Sequence, residues 1–241
     1  MPESAEFTLE QLTGRDRTHL TDLSDPRCSL HRDVARPFLA MRAAAAADGI
    51  DLVAFSSFRD FDRQLAIWNG KFLGQRPMQD RAGTPLDAAT MSPAEKVTAI
   101  LWWSALPGAS RHHWGTDFDV LDGKALPYGY QVQAVPAEYA PGGPFERLTR
   151  WLDEHMHAYG FFRPYSTDRG GVQPEPWHLS HAKVSARAQR QLSFEVLKGT
   201  LAEASIEGKP EVLAALPQHY ATYVINVDNA PESALLAPTL T

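Results

Sequence analysis

The strongest concentration of metal-binding side chains in this 241-residue sequence lies in Gly108-Ala-Ser-Arg-His-His-Trp-Gly-Thr-Asp-Phe-Asp-Val120, which carries His112, His113, Asp117 and Asp119. Imidazole and carboxylate are the usual donors of a catalytic zinc site, which takes three protein ligands and keeps one position open for water or substrate. Hydrolysis at such a site also needs a base near the water, and a cationic or hydrogen-bonding group for the charge that develops on the attacked oxygen. Two further stretches offer those types. Glu175-Pro-Trp-His178 sets a carboxylate and an imidazole three residues apart, and Ser56-Ser-Phe-Arg59 ends on a guanidinium that stays charged at any working pH. Within the first stretch rivals remain: His112 stands beside His113, and on a strand Asp117 and Asp119 share one face.

Rigid elements must aim these groups. Residues 30–48 carry Val34, Phe38 and Met41 at helical spacing, then an alanine run, and stop at Gly49. Residues 50–55 read as a short strand that delivers Ser56–Arg59 at its end; helical spacing resumes over 60–72 with Phe61, Leu65, Trp68 and Phe72. Residues 73–91 form a loop. Ser92-Pro-Ala-Glu95 then opens a helix expected to reach about residue 106, with Ser as N-cap, Pro at the first position and Glu at the third. Residues 116–121 read as a strand, and the Pro-, Gly- and Tyr-rich excursion 123–143 as a rim over a cleft. An amphipathic helix over 144–159 precedes a short strand at Phe161-Phe162 and a hairpin return over 172–181. Helices over 193–204 and 210–216, a strand over 223–227 and a loose tail over 228–241 complete the reading. His19, His31, His155, His157 and His181 lack a chelating partner at useful spacing and are assigned surface or packing roles.

Composition narrows the function classes. An apolar fraction of 44% supports a full core, and a net charge of −6 gives no basic footprint, which argues against nucleic acid as partner. The single cysteine, Cys28, excludes an internal disulfide and any multi-cysteine zinc site. The acidic start Met1-Pro-Glu-Ser-Ala-Glu-Phe7 lacks a signal-peptide pattern, and no apolar run approaches the ~20 residues of a membrane span. The expectation is a cytoplasmic protein without a membrane span.

Taken in order, Ser-x-x-Arg (Ser56, Arg59), Ser-x-His-x-x-Gly-x-x-x-Asp (Ser110, His112, Gly115, Asp119) and Glu-x-x-His (Glu175, His178) resemble the zinc D-Ala-D-Ala peptidases, the VanY-type carboxypeptidases and VanX-type dipeptidases of the lysostaphin-like group. The resemblance covers roughly residues 30–181. It implies an α+β, Hedgehog-like zinc peptidase fold: a small, mostly antiparallel sheet carrying the site, with helices packed around it. It implies one zinc ion on His112, Asp119 and His178, Glu175 as general base and Arg59 as oxyanion partner. Ser110 would hydrogen-bond the bound peptide or its free carboxylate, with Gln64, Asp117 and Trp177 also assigned to substrate binding. Relatives commonly have alanine where Asp117 stands, so Asp117 is expected either behind a ligand histidine, as its hydrogen-bond acceptor, or as a pocket wall selecting an amine.

The organisation expected is a lead-in over 1–29, a catalytic domain over 30–190 and a helical extension over 191–241. The activity implied is hydrolysis of a bond next to a D-amino acid in a small peptide or muropeptide. The rivals are a noncatalytic zinc-containing peptide-binding module on the same scaffold, and an exported amidase or endopeptidase acting on the wall itself.

Overall fold

A computed structural model describes residues 6–238; the first five residues of the acidic start and the last three of the expected tail lie outside them. The sheet that carries the motifs has four strands: β3 (Leu52–Ser56), β6 (Asp117–Asp122), β7 (Phe161–Phe162) and β8 (His178–His181), in the order β3-β6-β8-β7 and antiparallel throughout. The class is α+β, as the resemblance implies. Phe118 projects from β6 against Phe38 and Phe161, with ring centroids 5.1 and 5.3 Å apart. Phe38 belongs to α2 (Arg32–Ala47), whose Val34, Met41 and Ala45 are also buried. Strand alternation then turns Asp117 and Asp119 to the other face.

The helix signals read from sequence hold with shortened ends. In α3 (Phe61–Phe72) Asp60 caps the first turn by accepting from the Arg63 amide. In α4 (Pro93–Leu101) Ser92 and Glu95 form the reciprocal capping box. That helix stops at Leu101 rather than near residue 106. There the Trp102 carbonyl accepts from the Gln173 amide and the Trp103 indole donates to the Asp80 carbonyl, so the chain is pulled into tertiary bonds before another turn can close. The helix α5 (Glu146–His155) passes into a 3₁₀ turn, Met156–Tyr159, ended by Gly160.

Four expectations change. The lead-in is not all surface: after α1 (Leu9–Leu12), β1 (Leu20–Ser24) and β2 (Arg27–His31) form a hairpin that buries Cys28 and Leu30. The expected loop over 73–91 holds a short antiparallel ladder, β4 (Met78–Gln79) with β5 (Pro85–Leu86). The expected strand at 223–227 is instead a π-helical turn, Tyr220–Val224, in which the Ile225 amide closes on the Tyr220 carbonyl. The expected loose tail is partly ordered: Glu232–Leu235 is helical with Ala234 buried. Asp228 accepts from the backbone and hydroxyl of both Ser166 and Thr167 at 2.7–3.0 Å, while its own amide donates to the Pro164 carbonyl. Helices α6 (Ala182–Gln191), α7 (Phe194–Glu203) and α8 (Lys209–Ala214) lie between.

Candidate metal centre and cleft

Strand pairing assembles the centre. Asp119 on β6 faces His178 on β8 in register, and a register shift in β3 between Ala54 and Ser56 places Ser56 opposite Asp119 as well. The chain leaving β3 therefore carries Arg59 past the same point. His112 comes from a 3₁₀ turn, Arg111–Trp114, closed by Gly115 at φ 66°. A side chain at 115 would be strained in that conformation and would meet the His31 backbone nitrogen at 2.8 Å, so glycine is needed where the turn crosses the β1–β2 hairpin.

Donor atoms of His112, Asp119 and His178 lie within 4.8 Å of one another, and all three residues are buried. The hydrogen bonds on the far side of each ring decide which nitrogen points inward. His112 Nδ1 stands 2.9 Å from the Ser57 carbonyl, which can only accept, so Nδ1 carries the proton and the Nε2 lone pair faces Asp119 Oδ2 at 3.5 Å. His178 Nε2 donates to Asp117 Oδ1 at 3.1 Å, which leaves Nδ1 at 3.3 Å from Asp119 Oδ1 and 3.3 Å from Glu175 Oε2. Asp119 Oδ1 is buried and makes no hydrogen bond. Two inward ring nitrogens and an unsatisfied carboxylate oxygen are a donor set that suits zinc once His178 Nδ1 gives up its proton, and a buried orphan of this kind calls for a partner.

The electrostatics follow from burial opposed by neighbours. Burial would raise Asp119, but His112, His178 and Arg59 outweigh it and hold the carboxyl down to about 2. Burial brings His112 down to about 3 against the pull of Asp119. Burial also works against charge on His178, yet Asp117, Asp119 and Glu175 together raise it well above the ordinary histidine range. Glu175 is raised by burial, partly offset by His178.

Arg59 donates through Nη1 to Gln64 Oε1 at 2.8 Å and through Nη2 to Ser56 Oγ at 3.3 Å. Ser110, Trp177, Arg59 and Glu175 line one cleft of about 310 Å³ with His112, Asp119 and His178. Two residues expected at the substrate do not line it. Gln64 is fully buried behind Arg59, its amide donating to the Ala105 carbonyl at 2.8 Å and to Ser104 Oγ at 3.3 Å. Asp117 has no exposed surface. Besides His178 it accepts from Arg111 Nε at 2.7 Å and from Thr116 Oγ1 at 2.5 Å, so both oxygens are engaged and the pocket-wall alternative is excluded. His113 is fully buried too, bridging the Gly108 amide and the Arg59 carbonyl.

Sequence reasoning passed over three neighbours. Arg111 balances Asp117 and also donates to Ser180 Oγ and Gln189 Oε1, each at 2.7 Å. A buried strand aspartate needs a cation, and Arg111, between two motif residues, was the nearest. Tyr165 packs edge-on to His178 at 5.1 Å, and Lys71 lines the cleft from α3; neither carries a motif signal. The excursion 123–143 does reach the rim, through Gln133 and Ala134. Among the described residues no helix is long and apolar enough to cross a membrane.

The profile of the family described as VanY, D-alanyl-D-alanine carboxypeptidase, matches residues 27–184. The chain is 44% identical over 103 residues to an uncharacterized protein of Haemophilus influenzae, covering 42% of this chain and 70% of that protein. It is 27% identical over 190 residues to the D-alanyl-D-alanine carboxypeptidase of Enterococcus faecalis, covering 77% of this chain and 56% of the relative. Among solved structures, VanYB in complex with D-Alanine-D-Alanine is similar with a TM-score of 0.50 and 23% identity, over 77% of this chain and 89% of that one, a likeness of fold.

Proposed function

Since the chain belongs to the VanY family of D-alanyl-D-alanine carboxypeptidases, we propose that it is a zinc metallopeptidase hydrolysing the bond before a D-amino acid in small peptidoglycan-derived peptides. One observation carries this reading: His112 Nε2, His178 Nδ1 and the unpartnered Asp119 Oδ1 converge within a cleft that also holds Glu175 and Arg59. His112, Asp119 and His178 would hold one zinc ion. Bound there, zinc supplies Lewis acidity, polarising a carbonyl and making water acidic near neutrality.

The chain's own residues do the rest. Glu175, with its affinity for a proton raised by burial, takes a proton from the attacking water at its carboxylate as the oxygen bonds to the carbonyl carbon. It returns that proton to the leaving nitrogen as the C–N bond breaks, so the products are a new carboxyl end and a free amine. Arg59 is held by Gln64 and Ser56 through two of its donors, and the remaining N–H groups meet the charge on the carbonyl oxygen. Ser110 hydrogen-bonds the bound peptide and Trp177 walls the cleft. Asp117 keeps the proton of His178 on Nε2, so that Nδ1 stays a donor of electrons. The test is zinc-loaded protein incubated with D,D-, L,D- and L,L-peptides and the products read by mass. A D-amino acid released from the D,D-substrate, lost on chelation and restored by zinc, is expected. Tight peptide binding with no turnover under the same conditions would favour a noncatalytic binding module instead.

A further inference from the structure

Lys71, in the last turn of α3, lines the same cleft as Arg59, Ser110 and Glu175. The other charges of that cleft are matched within the protein. Arg111 pairs with Asp117, behind the cleft, at 2.7 Å, and His178 stands 3.3 Å from both Asp119 and Glu175. Two of the Arg59 donors are engaged by Gln64 and Ser56. Lys71 differs. It is half-buried, and among the described residues its ammonium donates no hydrogen bond and has no carboxylate within 4.0 Å. Burial lowers its pKa to about 8, with Glu175 opposing and Arg59 and Arg76 adding to the fall, so the charged form still prevails at neutral pH. A partly desolvated ammonium without a partner is unfavourable in the free protein, and an anion entering the cleft removes that penalty.

The rest of the cleft restricts which anion. A peptide whose scissile carbonyl lies between Glu175 and Arg59 offers one further negative group close to the cut bond when the residue beyond that bond is the last: its terminal carboxylate. An interior cut offers a neutral amide there. Resting on the carboxypeptidase reading above, we propose that Lys71 is a specificity-determining residue that binds the free carboxylate of the substrate's last residue, so that the enzyme removes terminal residues and passes over interior bonds.

The experiment compares wild type, K71M and K71R, all zinc-loaded, on one N-acylated D-Ala-D-Ala peptide presented as the free acid and as the carboxamide. A charge-assisted hydrogen bond corresponds to a preference of about ten- to a hundredfold. Wild type should favour the acid by that factor in kcat/KM, mostly through KM. The acid-to-amide ratio should collapse toward one in K71M and largely return in K71R, with zinc content and melting temperature reported for each variant. Equal losses on both peptides in K71M, leaving the ratio where it was, would overturn the role of Lys71 while leaving the peptidase reading intact. So would a wild type that cuts both peptides equally well. A wild type that cuts neither would overturn the peptidase reading and this inference with it.

Discussion

Replacing Asp117 with asparagine tests how the centre is held together. The substitution keeps shape and removes one charge, at a residue whose two oxygens serve His178, Arg111 and Thr116. Arg111 is left as a buried cation, its side chain 4% exposed, without its ion-pair partner. Breaking a buried pair from one side typically costs about 3–5 kcal/mol. Arg111 retains its bonds to Ser180 and Gln189, so the lower end, about 3 kcal/mol, is expected. For a chain of this size that corresponds to a fall in Tm of roughly 6–12 °C. The amide also competes for the wrong tautomer of His178, and loss of such a carboxylate typically weakens metal binding about 10–100-fold. Burial would raise the Asp117 pKa, but Arg111, His178 and Thr116 hold it well below the ordinary carboxylate value. A depressed folded pKa adds stability that is present above the unfolded value, about 4, and is lost as the pH falls below it. The difference in stability between wild type and D117N should therefore be full at pH 6 and narrow below pH ~4. Thermal melts across pH, with a competitive zinc titration, measure both quantities. A D117N protein that melts within a degree of wild type at pH 6 and binds zinc equally well would refute the reasoning.

Two further outcomes follow from the same geometry. Glu175→Ala should keep zinc at wild-type stoichiometry, because Glu175 is not one of the three converging donors, yet lose about 10²–10⁴ in kcat as expected for a missing general base; near wild-type turnover would remove Glu175 from the mechanism. Zinc affinity should weaken as pH falls, because the proton that Asp119 and Glu175 help to hold on His178 in the metal-free protein must leave Nδ1 before the metal binds. An isothermal titration series from pH 8 to pH 5.5 checks this, and a flat series would count against His178 as a ligand.

What the sequence made legible was whatever local rules encode. The capping box at Ser92, the apolar face of α2 and the period of β6 each lie within a few turns of chain, and each appears in the structure. The three short motifs named His112, Asp119, His178, Glu175 and Arg59, and strand pairing brings them to one cleft. The misses all depend on distant partners. The β1–β2 hairpin was hidden because β1 is half exposed and shows no alternation. Gln64 shares a helix with Lys71 of the cleft, but its direction is decided by the carbonyl of Ala105, 41 residues away. Asp117 and Asp119 have the same face and type, and only Arg111 separates their roles. Lys71 is a lysine at a helix end, an unremarkable position until the fold closes over it.

The five bonds that tie Asp228 to residues 164–167 give the end of the chain a share in the cleft. The tied loop presents Tyr165, whose ring packs on His178 and whose carbonyl accepts the Glu175 amide. Residue 228 lies well beyond the span the family profile matches. A chain shortened to residues 27–184 would keep every proposed metal ligand while losing the guy-rope of the wall behind them. The terminal segment thus offers a remote adjustment: substitutions there can retune the set of the Tyr165 loop, and with it the fit of a peptide, without altering one atom of the metal-binding side chains.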